Sequence, residues 1–262
     1  MKRVAQCLAL SMLVSFLAGV HAESKSITSN IILRVFLVRY HEELCSSFTI
    51  EVDGRQYLIT AKHNLRGIKN GDLIQIRQKQ GWHSLSVRPI YCEPLNVDII
   101  VLALPQQISP AFPLAPTLSG AIISQDVYFL GFPYGLHSTE SELSNWFPIP
   151  FVKKGILSAL SRNPKGFTVI YVDGHNNPGF SGGPIVFMNE ETKQLKVAGV
   201  ISGYRNQRDK VIAEIKKSQR REPTIEETNL IVMSNSGILV GHSIENAIEA
   251  IKQNPIGPKV SQ

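Results

Sequence analysis

Short extended segments follow one another along most of the chain, and this pattern constrains the fold more than any other feature. Val, Ile, Phe and Tyr alternate with polar residues, and Asp-Gly and Asn-Gly pairs mark turns between neighbouring segments. Helices do not alternate with these segments, so antiparallel sandwiches or barrels are favoured. Examples of the segments are VFLVRY, SSFTIEV, DVYFLGF, GFTVIYV and VAGVISGY.

A proline-rich segment divides this pattern into two parts. Residues 104–120 carry four prolines and little periodicity, which is typical of a strap between two structural units. We therefore expect a first β unit over 23–113 and a second over 114–262.

The C-terminal segment SIENAIEAIKQN has the spacing of a helix. Its apolar side chains fall at 244, 247, 248 and 251, on one helical face. Ser243 is placed to cap this helix and Pro255 to end it.

The N-terminus has the layout of a secretory signal peptide. A basic start, MKR, precedes the apolar run 8–20, which is too short and too rich in serine to span a bilayer stably. Val20 and Ala22 stand at the small-residue positions before a cut, so we expect residues 1–22 to be removed. An uncleaved anchor is the less favoured alternative. The mature chain is therefore expected to be exported, periplasmic or secreted, without an integral membrane segment.

Charge gives little support for a nucleic-acid partner. Loss of Lys2 and Arg3 with the signal peptide lowers the formal net charge from +6 to +4, a modest excess. Much of the charge lies in the insertion 205–229, which we interpret as a solvated surface segment with a short helix around 211–217. A basic contact patch is the alternative interpretation.

Two cysteines, Cys45 and Cys92, remain after the signal peptide is removed. Cysteines in an exported chain can pair, and we slightly favour a disulfide between them over two buried free thiols. No metal or cofactor is predicted, because the histidines at 41, 83, 137 and 242 lack a short ligand spacing.

The segment NNPGFSGGPIV, residues 176–186, places one serine, Ser181, among glycines and prolines between two strand-like runs. A serine nucleophile needs a base, a group that orients the base, and N–H donors for the negative charge that develops. Gly179 permits a backbone conformation closed to residues with a Cβ, so the N–H groups of Gly179 and Ser181 can form an oxyanion hole. Gly182 and Gly183 are expected to leave room for a substrate chain.

A base and an orienting acid are both available upstream. His63 follows a strand in YLITAKHNL, and Asp98 begins the apolar run of NVDIIVLAL. A carboxylate that enters an apolar interior is costly unless hydrogen bonds satisfy it, and an imidazole N–H is one such donor. Each residue alone is commonplace, but together they predict a His63, Asp98, Ser181 catalytic triad.

The motifs TAKH, VDIIVL and GFSGGPIV, in this order, resemble those of the chymotrypsin/trypsin-like serine peptidases, and the bacterial branch most of all. The similarity covers most of residues 30–250. It implies two six-stranded antiparallel β-barrels with the active site between them and a C-terminal helix. It also implies a serine endopeptidase that cleaves polypeptides through an acyl-enzyme.

This chain departs from many family members at two positions near the site. Phe180 stands where digestive members carry an aspartate that pairs with a new N-terminus, so we expect no such activation switch. Asn64 stands where animal members place a cysteine.

Specificity is less defined by the motifs. The resemblance places His175 at the base of the primary pocket, although it can equally pack in its loop. It also makes the run Ile201–Tyr204, with Ser202, Gly203 and Tyr204, the strand that binds substrate.

Two other functions are compatible with parts of the sequence. GFSGG fits the G-x-S-x-G nucleophile elbow of esterases, but Gly-Gly-Pro and a strand, rather than a helix, follow Ser181. A catalytically silent binding module is the stronger alternative, because the loop 132–150 could cover the cleft.

Overall fold

The structure is a computed structural model that describes residues 27–78, 81–110, 114–138, 148–215 and 224–261. The predicted signal peptide, 1–22, and residues 139–147 of the loop 132–150 lie outside these residues. Among the described residues, no helix is long and apolar enough to cross a bilayer.

The first sheet contains seven strands. In chain order they are β1 Val35–Tyr40, β2 Glu43–Val52, β3 Arg55–Thr60, β4 Leu73–Gln78, β5 Gly81–Ser86, β6 Arg88–Tyr91 and β7 Ile100–Ala103. They pair antiparallel in the order β5-β4-β1-β2-β3-β7-β6, as an open half-barrel. The Asp-Gly turn joins β2 to β3, where Asp53 and Gly54 have φ of 48° and 70°, as a two-residue type I′ turn requires.

The second sheet also contains seven strands, and six of them close into a ring. Its members are β8 Ala115–Pro116, β9 Asp126–Gly131, β10 Phe151–Arg162, β11 Thr168–Asp173, β12 Pro184–Met188, β13 Leu195–Ile215 and β14 Thr224–Ser243. The order is β12-β9-β10-β11-β14-β13-β8, and β13 also pairs with β12. The predicted all-β fold is confirmed.

Apolar side chains on the inner faces of the strands form the core. Phe36, Leu58 and Ile100 lie inside the first sheet, and Phe129 and Ile170 lie inside the ring. A further cluster draws residues from both sheets and from the C-terminal helix, including Val101, Leu130, Val200 and Ile251. This shared core holds the two sheets together.

The described parts of the charged insertion, 205–215 and 224–229, belong to strands rather than to a helix. Strand β13 continues through Ile215, so the helix predicted around 211–217 is wrong over its described part; residues 216–223 lie outside the described residues. Cross-strand pairs such as Arg208 with Met233 and Ile212 with Glu227 join β13 to β14 along this arm. A seven-residue helix would be marginal alone, whereas residues 212–215 pair with residues 224–227 of β14.

The described chain contains two α-helices, α1 Ser29–Ile32 and α2 Glu245–Gln253, and two 3-10 turns, Lys62–Leu65 and Pro133–Gly135. Helix α2 confirms the predicted C-terminal helix. The cap lies one residue later than predicted, at Ile244, and Ser243 Oγ instead accepts from the N–H of Glu245 at 3.3 Å.

The disulfide expected between Cys45 and Cys92 is not formed, since both are free and buried. Cys45 packs in the core of the first sheet, and Cys92 packs in the shared core. The two side chains therefore belong to different clusters. Burial raises the pKa of each thiol to about 12.

Candidate active site

His63 lies in the 3-10 turn that directly follows β3. Its Nδ1 is 2.7 Å from Oδ2 of Asp98, and its main-chain N–H donates to Oδ1 of the same carboxylate at 2.9 Å. The His63 side chain is 38% exposed, whereas that of Asp98 is 18% exposed. With the Nδ1 proton donated to the carboxylate, Nε2 is left as a proton acceptor that solvent or substrate can reach.

Asp98 precedes β7 and receives hydrogen bonds from both halves of the molecule. Besides the two from His63, Ser202 Oγ on β13 donates to Oδ2 at 2.6 Å. Burial opposes ionisation of the carboxyl, but these hydrogen bonds outweigh burial and lower the pKa of Asp98. The carboxylate is therefore charged at neutral pH and oriented towards the imidazole.

Ser181 lies in the turn between β11 and β12. Its Oγ donates to the main-chain carbonyl of Ser202 at 3.3 Å, so Ser202 contacts both the serine and, through its own Oγ, Asp98. The structure thus brings His63 and Asp98 into direct contact and joins Ser181 to them through Ser202.

Two residues of the first half of the chain hydrogen-bond to the Ser181 turn, and no pattern in the sequence indicated either contact. Ser46 on β2 donates its Oγ proton to the carbonyl of Gly179 at 2.6 Å, and its N–H to the carbonyl of Ser181 at 3.1 Å. The amide of Asn64, next to His63, donates to the same Ser181 carbonyl at 3.1 Å. The position of the serine therefore depends on how the first sheet meets the second.

The glycines of this turn are required by close packing. Gly179 has φ of 100°, and a Cβ there would lie 2.3 Å from the carbonyl oxygen of Phe132. Gly182 has φ of 88°, and its Cβ would lie 2.1 Å from the Ser46 carbonyl oxygen. A Cβ on Gly183 would lie 1.9 Å from the Leu130 carbonyl oxygen. The space beside Gly182 and Gly183 is thus filled by the protein itself, rather than left for substrate as expected.

Phe180 anchors the turn to the core. It is completely buried and its ring packs edge-on against Phe129, with centroids 5.5 Å apart. Its N–H donates to the carbonyl of Asn177 at 3.2 Å. Position 180, where digestive members of the family carry an aspartate that needs an ionic partner, is therefore filled here by an apolar side chain packed in the core.

The residues expected to define specificity have different environments. The His175 side chain is exposed, and its carbonyl accepts from Nζ of Lys153 at 2.7 Å. Gly203 has open space where a Cβ would be, and Tyr204 is 36% exposed, so the run Ile201–Tyr204 presents an accessible surface beyond Ser202.

Asn176, next to His175, was missed by sequence reasoning. It is 2% exposed and donates its side-chain amide to the carbonyl of Gly203 at 3.0 Å. Its Oδ1 is buried without a partner among the described residues. An unsatisfied acceptor beside the Gly203 strand is a feature that only the folded chain reveals.

His242 is a second histidine at the site. It lies on β14, is 9% exposed, and its Nδ1 accepts from the main-chain N–H of Asp98 at 2.8 Å. Its sequence context, directly before α2, carried no signal for this contact, because 144 positions separate the two residues.

Comparison with known proteins identifies the family of this chain. A sequence model described as trypsin-like peptidase domain matches residues 45–195, which includes His63, Asp98 and Ser181. No curated protein matches the chain in sequence.

Several solved structures share the fold. Rv3671c of M. tuberculosis, in an inactive form, is 16% identical with a TM-score of 0.52, over 88% of this chain and 91% of that one. The HtrA-type protease AlgW, with a tripeptide, is 21% identical with a TM-score of 0.55, over 87% of this chain and 62% of that one. A serine endoprotease from Yersinia pestis is 18% identical with a TM-score of 0.51, over 88% of this chain and 67% of that one.

Proposed function

This chain belongs to the trypsin-like peptidase family, and we propose that it is an exported serine endopeptidase whose catalytic residues are Ser181, His63 and Asp98. One observation carries the proposal: His63 Nδ1 is 2.7 Å from a partly buried, hydrogen-bonded carboxylate, while the His63 side chain remains 38% exposed. A histidine held in this way can take a proton at Nε2 and keep its orientation while it does so.

In the proposed reaction, the Ser181 hydroxyl exchanges its hydrogen bond with the Ser202 carbonyl for one with His63 Nε2. His63 takes the proton as Ser181 Oγ attacks the carbonyl carbon of a bound peptide. The Asp98 carboxylate stabilises the imidazolium that forms. His63 then protonates the leaving amine, and a water molecule, activated in the same way, hydrolyses the acyl-enzyme.

The N–H groups of Gly179 and Ser181 are proposed to bind the oxyanion. Neither donates to another group among the described residues, whereas the intervening Phe180 N–H donates to Asn177. Free N–H groups on both sides of an anchored residue are suited to stabilise the negative charge of a tetrahedral intermediate.

The proposed substrate is an extended polypeptide that lies along Ile201–Tyr204. In the described structure β13 pairs with β12 only as far as Val200, while its other edge pairs with β14. The N–H and carbonyl of Ile201 are already bonded to Gly183 and Gly182, so a peptide can hydrogen-bond to β13 from Ser202 onward, next to Ser181.

Hydrolysis by the purified mature chain tests the proposal. Wild type should cleave internally quenched peptides, and Ser181→Ala should lower kcat by about 10⁶-fold, as in other triad enzymes. Ser158→Ala, at an exposed serine on β10, is the matched control and should retain activity. Equal hydrolysis by wild type and Ser181→Ala would refute the assignment. No hydrolysis by folded wild type would favour a binding module.

A further inference from the structure

His242 contacts the main chain of the catalytic acid. The Asp98 N–H donates to Nδ1 of His242 at 2.8 Å, on the opposite half of the molecule. Asp98 lies before β7, which begins at Ile100, so sheet pairing offers its N–H no acceptor. The imidazole of His242 supplies this acceptor.

The hydrogen bond fixes the protonation state of His242. Because Nδ1 accepts, the proton of the neutral ring lies on Nε2. An imidazolium carries protons on both nitrogens, so it would place an N–H donor against the N–H of Asp98. The contact therefore exists only with neutral His242.

We infer that His242 is a positioning residue for Asp98, and that a proton on its Nδ1 releases the main chain of Asp98 from the second sheet. This inference rests on the proposed function. The hydrogen bonds to Asp98 that remain among the described residues come from Ser202 and His63, and both bind its carboxylate rather than its backbone. The carboxylate can shift or rotate, and His63 loses the fixed partner that sets its tautomer and orientation.

The surroundings of His242 favour the neutral ring. Its cross-strand partners, Val169 on β11 and Val200 on β13, are apolar, and the ring of Phe167 lies with its centroid 5.1 Å away. Burial lowers the pKa of His242; the charge of Asp98 opposes this, and that of Lys62 reinforces it. The nearby carboxylate of Glu245 is engaged elsewhere, since it accepts from Thr117 and Leu118.

The direction of the pH effect follows from these contacts. An unfolded histidine takes its proton near pH 6.5, and the folded His242 does so at lower pH. The bond to Asp98 is therefore complete above about pH 6.5 and is lost as the pH falls through the folded pKa.

Two substitutions distinguish the effect of the hydrogen-bond acceptor at His242 from the effect of the space that its ring fills. Asparagine in H242N places Oδ1 where Nδ1 lies but takes up no proton, whereas leucine in H242L fills the space without an acceptor. At pH 8 we expect H242N to keep kcat within about threefold of wild type. H242L should lower kcat by about tenfold, the scale of one lost hydrogen bond, with KM little changed. The exposed His83, replaced in H83N, is the matched control.

The acid limb of kcat against pH tests the switch. Above about pH 6.5 the ratio of wild-type kcat to H242N kcat should be constant. As the pH falls below this value, the ratio should decrease by up to about tenfold, because only wild type loses the acceptor for the Asp98 N–H. Identical acid limbs in wild type and H242N would overturn the switch. Equal kcat in H242L and wild type, or equal loss in H242N and H242L, would overturn the positioning role.

A spectroscopic measurement tests the His242–Asp98 contact without requiring activity and without requiring that H242L folds. In full-length, ¹⁵N-labelled Ser181→Ala at pH 8, long-range nitrogen–proton correlation should show His242 protonated on Nε2 and bare on Nδ1. In that background H242N should keep the downfield Nδ1 proton of His63. The opposite tautomer of His242 would overturn the inference. If this signature is present but wild type hydrolyses no peptide, the proposed function fails while the His242–Asp98 contact stands.

Discussion

Asn64 donates its side-chain amide to the main-chain carbonyl of Ser181 at 3.1 Å. Asn64 directly follows His63, so one short turn of the first sheet carries both the proposed base and a support for the nucleophile. Ser46, on β2, donates its N–H to the same carbonyl at 3.1 Å. The position of Ser181 relative to His63 is thereby set by hydrogen bonds from Asn64 and Ser46 to the Ser181 carbonyl, and not by sheet packing alone.

Changes at Asn64 should act on the chemical step. Asn64→Ala removes one of two donors to Ser181, and we expect kcat to fall by about tenfold, equivalent to one hydrogen bond. Asn64→Asp should be worse, because it places a carboxylate oxygen against a carbonyl oxygen. Steady-state kinetics on one peptide, with the exposed Asn70→Ala as control, measures this order. An Asn64→Asp enzyme as active as Asn64→Ala would contradict it.

Gly182→Ala should destabilise the fold well beyond the effect of its positive φ. The new Cβ would lie 2.1 Å from the Ser46 carbonyl oxygen and 2.1 Å from Oγ1 of Thr60. Gly166, with φ of 97° and nothing near its Cβ position, is the matched control. Gly166→Ala should cost about 1 kcal/mol, and Gly182→Ala about 3 kcal/mol or more, in urea unfolding. Equal losses would show that the first sheet does not approach Gly182 so closely.

Cys45 and Cys92 should both be free and unreactive in the folded chain. Each is 1% exposed, and burial raises the pKa of each thiol to about 12, so little thiolate forms at pH 8. Titration of the mature chain, which lacks Cys7, with a thiol reagent should give no fast reaction in buffer and two equivalents in denaturant, without a reductant. Failure to react in denaturant until a reductant is added would demonstrate a disulfide.

The ion pair between the buried Arg34 and the partly buried Glu51 should be costly to break. Both Glu51 carboxylate oxygens accept from Arg34 Nη1 at 2.7 Å, and the Arg34 side chain is 1% exposed. Arg34→Met leaves a carboxylate without its charged partner and should lower the free energy of unfolding by about 3–5 kcal/mol. Lys154→Met, which breaks an exposed pair with Asp126, should change it little. Similar small losses in both variants would contradict this assignment.

The fold was predictable, and the triad could be proposed, because short local stretches of sequence indicate them. The alternating strands around Asp53 and Gly54 encode a hairpin and its turn locally. His63, Asp98 and Ser181 each stand in a distinctive local motif. Such signals need no knowledge of which strands become neighbours.

The remaining features depend on contacts between distant parts of the chain. His242 and Ser46 hold the site across the boundary of the two sheets, and no local pattern marks either residue. The disulfide prediction failed because Cys45 and Cys92 pack in different hydrophobic clusters, which the number of cysteines does not reveal. Over its described part, 211–215, the helix predicted around 211–217 is wrong because pairing with β14 overrides the local preference of a short segment.

The most direct test of the central claim is whether Ser181 is an activated nucleophile. The purified mature chain is treated with a fluorophosphonate, and its peptides are examined by mass spectrometry beside Ser181→Ala and His63→Ala. We predict one adduct, on Ser181, that is absent from Ser181→Ala and strongly reduced in His63→Ala. An adduct on another serine, or undiminished labelling of Ser181 in His63→Ala, would contradict the proposed mechanism.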